Sequence, residues 1–100
     1  MTTTTDAPLT ARVKLSNRRG LHARASHKFV EQAIRFDAHV EVTSHNSVCA
    51  ETVVADSVME LLLLGSAFGE DITISAAGPE AKAALDALVE LVEARFGEDT

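Results

Sequence analysis

Two kinds of apolar period alternate along this chain, and their order limits the fold more than any single residue does. Residues 11–16 put Val13 and Leu15 on one side and Arg12, Lys14 and Ser16 on the other, the period of a half-buried strand. Residues 38–44 do the same, with Val40 and Val42 inward and His39, Glu41 and Thr43 outward. His45-Asn46-Ser47 is a hairpin turn in which Asn46 can take positive φ, and residues 48–54 return as the third strand. Residues 71–77, with Ile72 and Ile74 inward, are the fourth.

Helical stripes stand between and after these strands. Phe29, Val30, Ala33 and Ile34 make one apolar face of a helix that starts near His22 and stops near Phe36, with Ser26 and Lys28 toward its polar side. Ser57 and Glu60 have capping-box spacing ahead of Leu61 to Leu64, and Gly65 can end that short helix. Pro79 suits the first position of the last helix and Glu80 suits its positive end. Its face runs through Ala81, Ala84, Leu85, Leu88, Leu91, Val92 and Phe96, with Arg95 in the last turn and Gly97 as the closing residue.

The order is therefore β-α-β-β-α-β-α. Four alternating strands imply an antiparallel sheet with one wet face, and the helical stripes cover the other, which makes a two-layer α+β fold. One domain is expected over residues 11–97, with a polar N-terminal tail at 1–10 and a short C-terminal tail at 98–100.

Charge singles out one part of this plan. Residues 12–35 carry seven basic side chains against Glu31 alone, whereas residues 36–100 carry thirteen acids against Lys82 and Arg95. The basic part surrounds Asn17-Arg18-Arg19-Gly20-Leu21-His22-Ala23-Arg24-Ala25-Ser26, where a glycine-containing turn becomes a helix. The first N–H groups of a helix lack intrahelical partners and lie at the positive end of its dipole, so an anion finds a site there. Arg24 adds a cationic fork, and His22 brings an imidazole nucleophile. By itself a histidine in this place is an N-cap residue.

Other functions are disfavoured. Four phenylalanines with no Trp or Tyr give no stacking platform for bases, so a nucleic-acid partner is not expected. Cys49 is the lone cysteine, which excludes an internal disulfide, suits the cytoplasm and reads as a small buried apolar residue. No stretch is apolar and long enough to span a membrane, and residues 1–10 lack the features of a signal peptide. The histidines lack metal-ligand spacing; His27, His39 and His45 are expected at the surface, and neither metal nor cofactor is expected.

With Gly20-Leu21-His22-Ala23-Arg24 after a strand, and Ser57-Val58-Met59 followed by Leu64-Gly65, the chain resembles the HPr family of histidine-containing phosphocarriers of the bacterial phosphotransferase system over residues 11–97. That resemblance implies an open-faced β-sandwich, its four strands ordered 1-4-2-3 with three helices on one face. It implies a carrier rather than an enzyme: His22 takes a phosphoryl group, on Nδ1, from phosphorylated enzyme I charged by phosphoenolpyruvate. The carrier then passes it to a histidine of an enzyme IIA domain, in sugar uptake or in a regulatory branch. Arg24 would contact the phosphate. Arg18, Arg19, Ala23, Ala25, Lys28, Val58, Met59 and Leu62 would meet the partners. Ser57 would be the regulatory site of a serine kinase/phosphorylase, and its hydroxyl is also explained as a cap. The chain departs from many relatives with Ala25 in place of proline and Glu60 in place of glycine, and Asp56 adds a second acid beside Ser57. A monomer is expected. The rival is a regulatory module on the same scaffold that acts by contact alone, without phosphorylation.

Overall fold

Apolar residues in register across three strands make the inner layer. The computed structural model describes residues 8–45 and 51–98. In it β1 (Leu9–Lys14), β2 (His39–Ser44), β3 (Thr52–Val54) and β4 (Asp71–Ala77) form one antiparallel sheet ordered β1-β4-β2-β3. Because β4 pairs with both β1 and β2, Val13 and Ser44 flank Ile72, Ala11 and Val42 flank Ile74, and Leu9 and Val40 flank Ala76. Side chains alternate between faces, so these three rows share one side. The other side carries Arg12, Thr43 and Thr52 around Thr73, with the Thr43 and Thr52 hydroxyls 2.7 Å apart.

Three helices cover the apolar side: α1 (Ala23–Ala33), α2 (Val58–Leu64) and α3 (Ala81–Glu93). Phe29 and Ala33 of α1, Leu61 and Leu64 of α2, and Ala84, Leu88 and Val92 of α3 are buried against the sheet and one another. Each large apolar side chain so buried contributes about 1.5–3 kcal/mol. α2 has the ends its sequence implies. The Ser57 hydroxyl accepts the Glu60 N–H at 3.3 Å, and Gly65, at φ 64°, closes the helix with its N–H on the Leu62 carbonyl. Among the described residues no helix is long and apolar enough to cross a membrane.

The structure corrects several sequence expectations. β1 starts at Leu9, so Leu9 and Thr10 leave the expected tail and pair with Ala76 and Ser75. Leu15 lies past the end of β1 yet is fully buried, because its N–H and carbonyl bond to the loop at Glu70 and Gly69. α1 stops at Ala33; Ile34 is its C-cap and stands 64% exposed rather than in the apolar stripe. Ser26 is buried, not on the polar side, since its hydroxyl donates to the Leu21 carbonyl at 3.1 Å. His45 is half-buried, with Nε2 2.6 Å from the Thr73 hydroxyl, while His27 and His39 are exposed.

α3 starts two residues after Pro79. The Glu80 carboxylate accepts the Asp37 N–H at 2.6 Å and the Glu80 N–H donates to the Asp37 carbonyl, which holds the 78–80 turn against the entry to β2. At its other end α3 stops at Glu93, before Phe96. Arg95, Phe96 and Gly97 take φ of 57°, 56° and 77°, a left-handed hook that still buries Phe96 completely. Left-handed backbone at a residue other than glycine costs about 1–3 kcal/mol. Burial of Phe96 offsets that cost, as does the Lys28 ammonium 2.6 Å from the Phe96 carbonyl. The expected turn at Asn46, the start of the third strand at residues 48–50 and Cys49 lie outside the described residues.

The 17–21 turn is held by close backbone contact. Gly20 has φ 63°, and a Cβ there would lie 2.6 Å from the Ser66 carbonyl oxygen and 2.8 Å from the Ala67 Cα. The Leu21 N–H donates to that same Ser66 carbonyl at 3.0 Å. Gly20→Ala is therefore expected to cost at least about 1 kcal/mol, read as a lower urea midpoint with an unchanged denaturant slope.

Candidate functional site

His22 is the N-cap of α1. Its backbone is extended, at φ −76° and ψ −176°, and its carbonyl accepts the Ser26 N–H, the first bond of the helix. Its side chain does the capping: Nδ1 accepts the Arg24 N–H at 3.3 Å. The other ring nitrogen, Nε2, lies 2.5 Å from Oε2 of Glu98. A donor facing Nδ1 and a carboxylate facing Nε2 assign the proton of the neutral ring to Nε2. The Nδ1 lone pair then points at the N-terminus of α1, where the helix dipole and unpaired N–H groups favour negative charge.

Glu98 is set by its second oxygen as well. Oε1 accepts from Nδ2 of Asn17 at 3.1 Å, and the same amide nitrogen donates to the Gly20 carbonyl at 2.7 Å. Asn17 is fully buried, and turning its amide over would set its oxygen against the Gly20 carbonyl, so the orientation is fixed. The hook after α3 and the turn before α1 thus meet at one carboxylate. Burial alone would raise the Glu98 pKa. Hydrogen bonds from Asn17 and His22, and the charges of His22 and Arg19, outweigh it and hold the carboxyl below its ordinary 4.5.

Around this pair the surface opens into a cleft of about 510 Å³ lined by Arg18, Arg19, His22, Arg24 and Glu98. His22 keeps 22% of its side chain exposed. The arrangement is an imidazole nucleophile with one oriented lone pair, at the mouth of a concave site carrying three guanidinium groups. It suits attack on an anionic phosphorus centre better than attack on a neutral carbonyl, because the fixed positive charge favours the phosphoryl oxygens.

The structure sorts the remaining candidates. Arg18 and Arg19, which line the cleft, are exposed, as is Ala23. Ala25 is fully buried, so it lies beneath any surface a partner would touch and leaves the docking set. Lys28 is half-buried with its ammonium on the Phe96 carbonyl. Ser57 is half-buried and caps α2. Met59 is 63% exposed on α2, with Val58 and Leu62 half-buried beside it. Leu63 and Phe68, not singled out from the sequence, are 70% and 61% exposed. Two further site residues were hidden in the sequence. Glu98 sits in the expected C-terminal tail and Asn17 reads as a turn residue; only the chain reversal at 95–97 brings them together.

Known proteins resemble this chain in sequence and in fold. The family model "PTS HPr component phosphorylation site" matches residues 9–94. The phosphocarrier protein NPr of Proteus mirabilis (strain HI4320) is 40% identical over 88 residues, covering 88% of this chain and 94% of that protein. The phosphocarrier protein HPr of Vibrio cholerae serotype O1 is 40% identical over 81 residues, covering 81% of this chain and 91% of that protein. Among solved structures, HPr-C-His from Thermoanaerobacter tengcongensis superposes with a TM-score of 0.82 at 33% identity, covering 92% of this chain and 99% of that one. A phosphocarrier protein HPr from Bacillus anthracis str. Ames gives 0.78 at 36% identity, covering 86% and 98%.

The lowered Glu98 carboxyl has a consequence for stability. A folded pKa below the unfolded one means that the unfolded chain binds more protons in that range. The Glu98 contribution is therefore fully present above pH 4.5 and lost as the pH falls through the depressed folded value. Urea unfolding of wild type and Glu98→Gln should converge as the pH is lowered from 6 to 3 and separate as it is raised.

Proposed function

The chain belongs to the HPr family of phosphotransferase-system phosphocarriers, and from that premise we propose that His22 accepts a phosphoryl group on Nδ1 from phosphorylated enzyme I and hands it to a histidine of an enzyme IIA component. Members of this family are phosphoryl carriers, not enzymes. The observation that carries the proposal is the Nδ1 lone pair of His22, aimed at the helix N-terminus inside the arginine-lined cleft while Nε2 is tied to Glu98.

The transfer follows from that geometry. The Nδ1 lone pair bonds to phosphorus as the donor's P–N bond breaks, and that electron pair returns to the donor nitrogen. Once on Nδ1, the phosphoryl oxygens take over as acceptors for the first-turn N–H groups of α1, which lose the capping nitrogen. Arg24 supplies a guanidinium, with Arg18 and Arg19 across the cleft. Each of these groups is in place before the phosphoryl group arrives, so little reorganisation accompanies the step. A carrier must offer one atom to two partners in turn, and a partly exposed histidine at a rigid loop-to-helix junction meets that need.

Docking falls to the surface beside the cleft. Met59, with Val58 and Leu62, offers adaptable apolar contacts on α2, which packs against α1, and Ala23, Arg18 and Arg19 complete it. Ser57 acts in this reading as the cap of α2. Asp56 and Glu60 would repel a phosphate placed on it, and the cap accounts for the residue.

Incubation with enzyme I and phosphoenolpyruvate should leave an acid-labile, alkali-stable phosphate that maps to His22. His22→Ala should take no label while its circular dichroism and urea midpoint stay near wild type. Label of normal amount on the variant would refute the assignment.

A further inference from the structure

We propose that Glu98 is a positioning residue of the relay: it holds the Nε2 proton of His22 so that the phosphorylated ring stays ready to discharge. The inference rests on the reading of His22 as the phosphoryl acceptor. It starts from the backbone. Arg95, Phe96 and Gly97 all turn left-handed, Phe96 anchors the hook in the core, and the Lys28 ammonium holds the Phe96 carbonyl. That strained turn delivers Glu98, which then divides its two oxygens between buried Asn17 and Nε2 of His22. The stretch matched by the family model stops at residue 94, short of the hook and of Glu98.

The chemistry needs that proton. When Nδ1 bonds to phosphorus and Nε2 keeps its hydrogen, the ring carries a positive charge. In onward transfer the acceptor histidine's lone pair bonds to phosphorus, the Nδ1–P bond breaks, and the electron pair returns to Nδ1. The leaving group is then a neutral imidazole that still bears its Nε2 proton. Had that proton been lost first, the leaving group would be an imidazolide anion, a far poorer one. The charged groups facing the ring are Arg18 and Arg19 from the turn, Arg24 from α1 and Glu98 from the hook, with Lys28 of α1 bound behind the hook. The cations oppose a positive ring, and among these groups Glu98 alone favours it. An uncharged amide at 98 does not substitute. Its one oxygen cannot serve both the Asn17 amide and the ring N–H, and the negative charge is gone.

The test compares wild type, Glu98→Gln and Glu98→Asp, each charged with enzyme I and phosphoenolpyruvate. Two quantities are read across pH 5 to 9: loss of phosphoryl to water, and transfer to an enzyme IIA domain. Imidazole ¹⁵N shifts of the uncharged proteins report the tautomer of His22. Glu98→Gln should move the midpoint of discharge to lower pH by about one unit or more, slow transfer at alkaline pH in proportion, and reduce the Nε2–H tautomer. Glu98→Asp, which keeps the charge on a shorter side chain, should fall between the two. An unchanged pH midpoint and tautomer in a normally labelled Glu98→Gln would overturn the proposal and leave the carrier reading standing. Absence of label on His22 of the wild-type protein would overturn both.

Discussion

The sheet has one apolar face, and three helices must share it. That constraint sets where everything else lies. The rows through Ile72, Ile74 and Ala76 need cover, and Phe29, Leu61 and Leu88 bring α1, α2 and α3 down onto them. Once α1 is seated through Phe29, Val30 and Ala33, its N-terminus has a fixed place beside the 66–67 loop. The turn that enters it has so little room that the Gly20 backbone meets Ser66 and Ala67 directly. Ser66 is tied in turn to Ser44 at the end of a core row. His22 therefore inherits its position from the sheet through a short series of close contacts, and a carrier served by two partners benefits from that rigidity.

The site also shows why net charge is a poor guide to local chemistry. The chain is acidic overall, at −6, yet its cleft is lined by three arginines. At physiological ionic strength charges beyond about 8 Å are strongly screened. An anion approaching His22 thus responds first to Arg18, Arg19 and Arg24, which line the cleft. Local positive charge can steer encounter even on a chain whose net charge has the opposite sign.

Much of the fold was legible because its signals are local. Strand alternation, the Ser57 cap and the Gly65 stop each lie within a few residues of the feature they specify: β2, β4 and α2 appear where those signals put them, while β1 lies two residues earlier and β3 is seen only over Thr52–Val54. The histidine motif was legible for the same reason: turn, nucleophile and helix start are contiguous. What stayed hidden depends on residues far apart in the chain. Ser26 looks polar until the Leu21 carbonyl takes its hydroxyl, and Pro79 looks like a helix start until Asp37 claims Glu80. The Glu98–His22 contact spans 76 positions and needs two non-glycine residues in left-handed backbone, a choice no local propensity favours.

The hook has one more implication, for how mutational scans of this protein are interpreted. Phe96 is a fully buried core residue, and Glu98 follows it by two positions on the hook that reaches His22. On the proposed role of Glu98, a scan scored on phosphate relay should rank Phe96 with the site residues, although its side chain lies in the core. The rank would record leverage rather than contact.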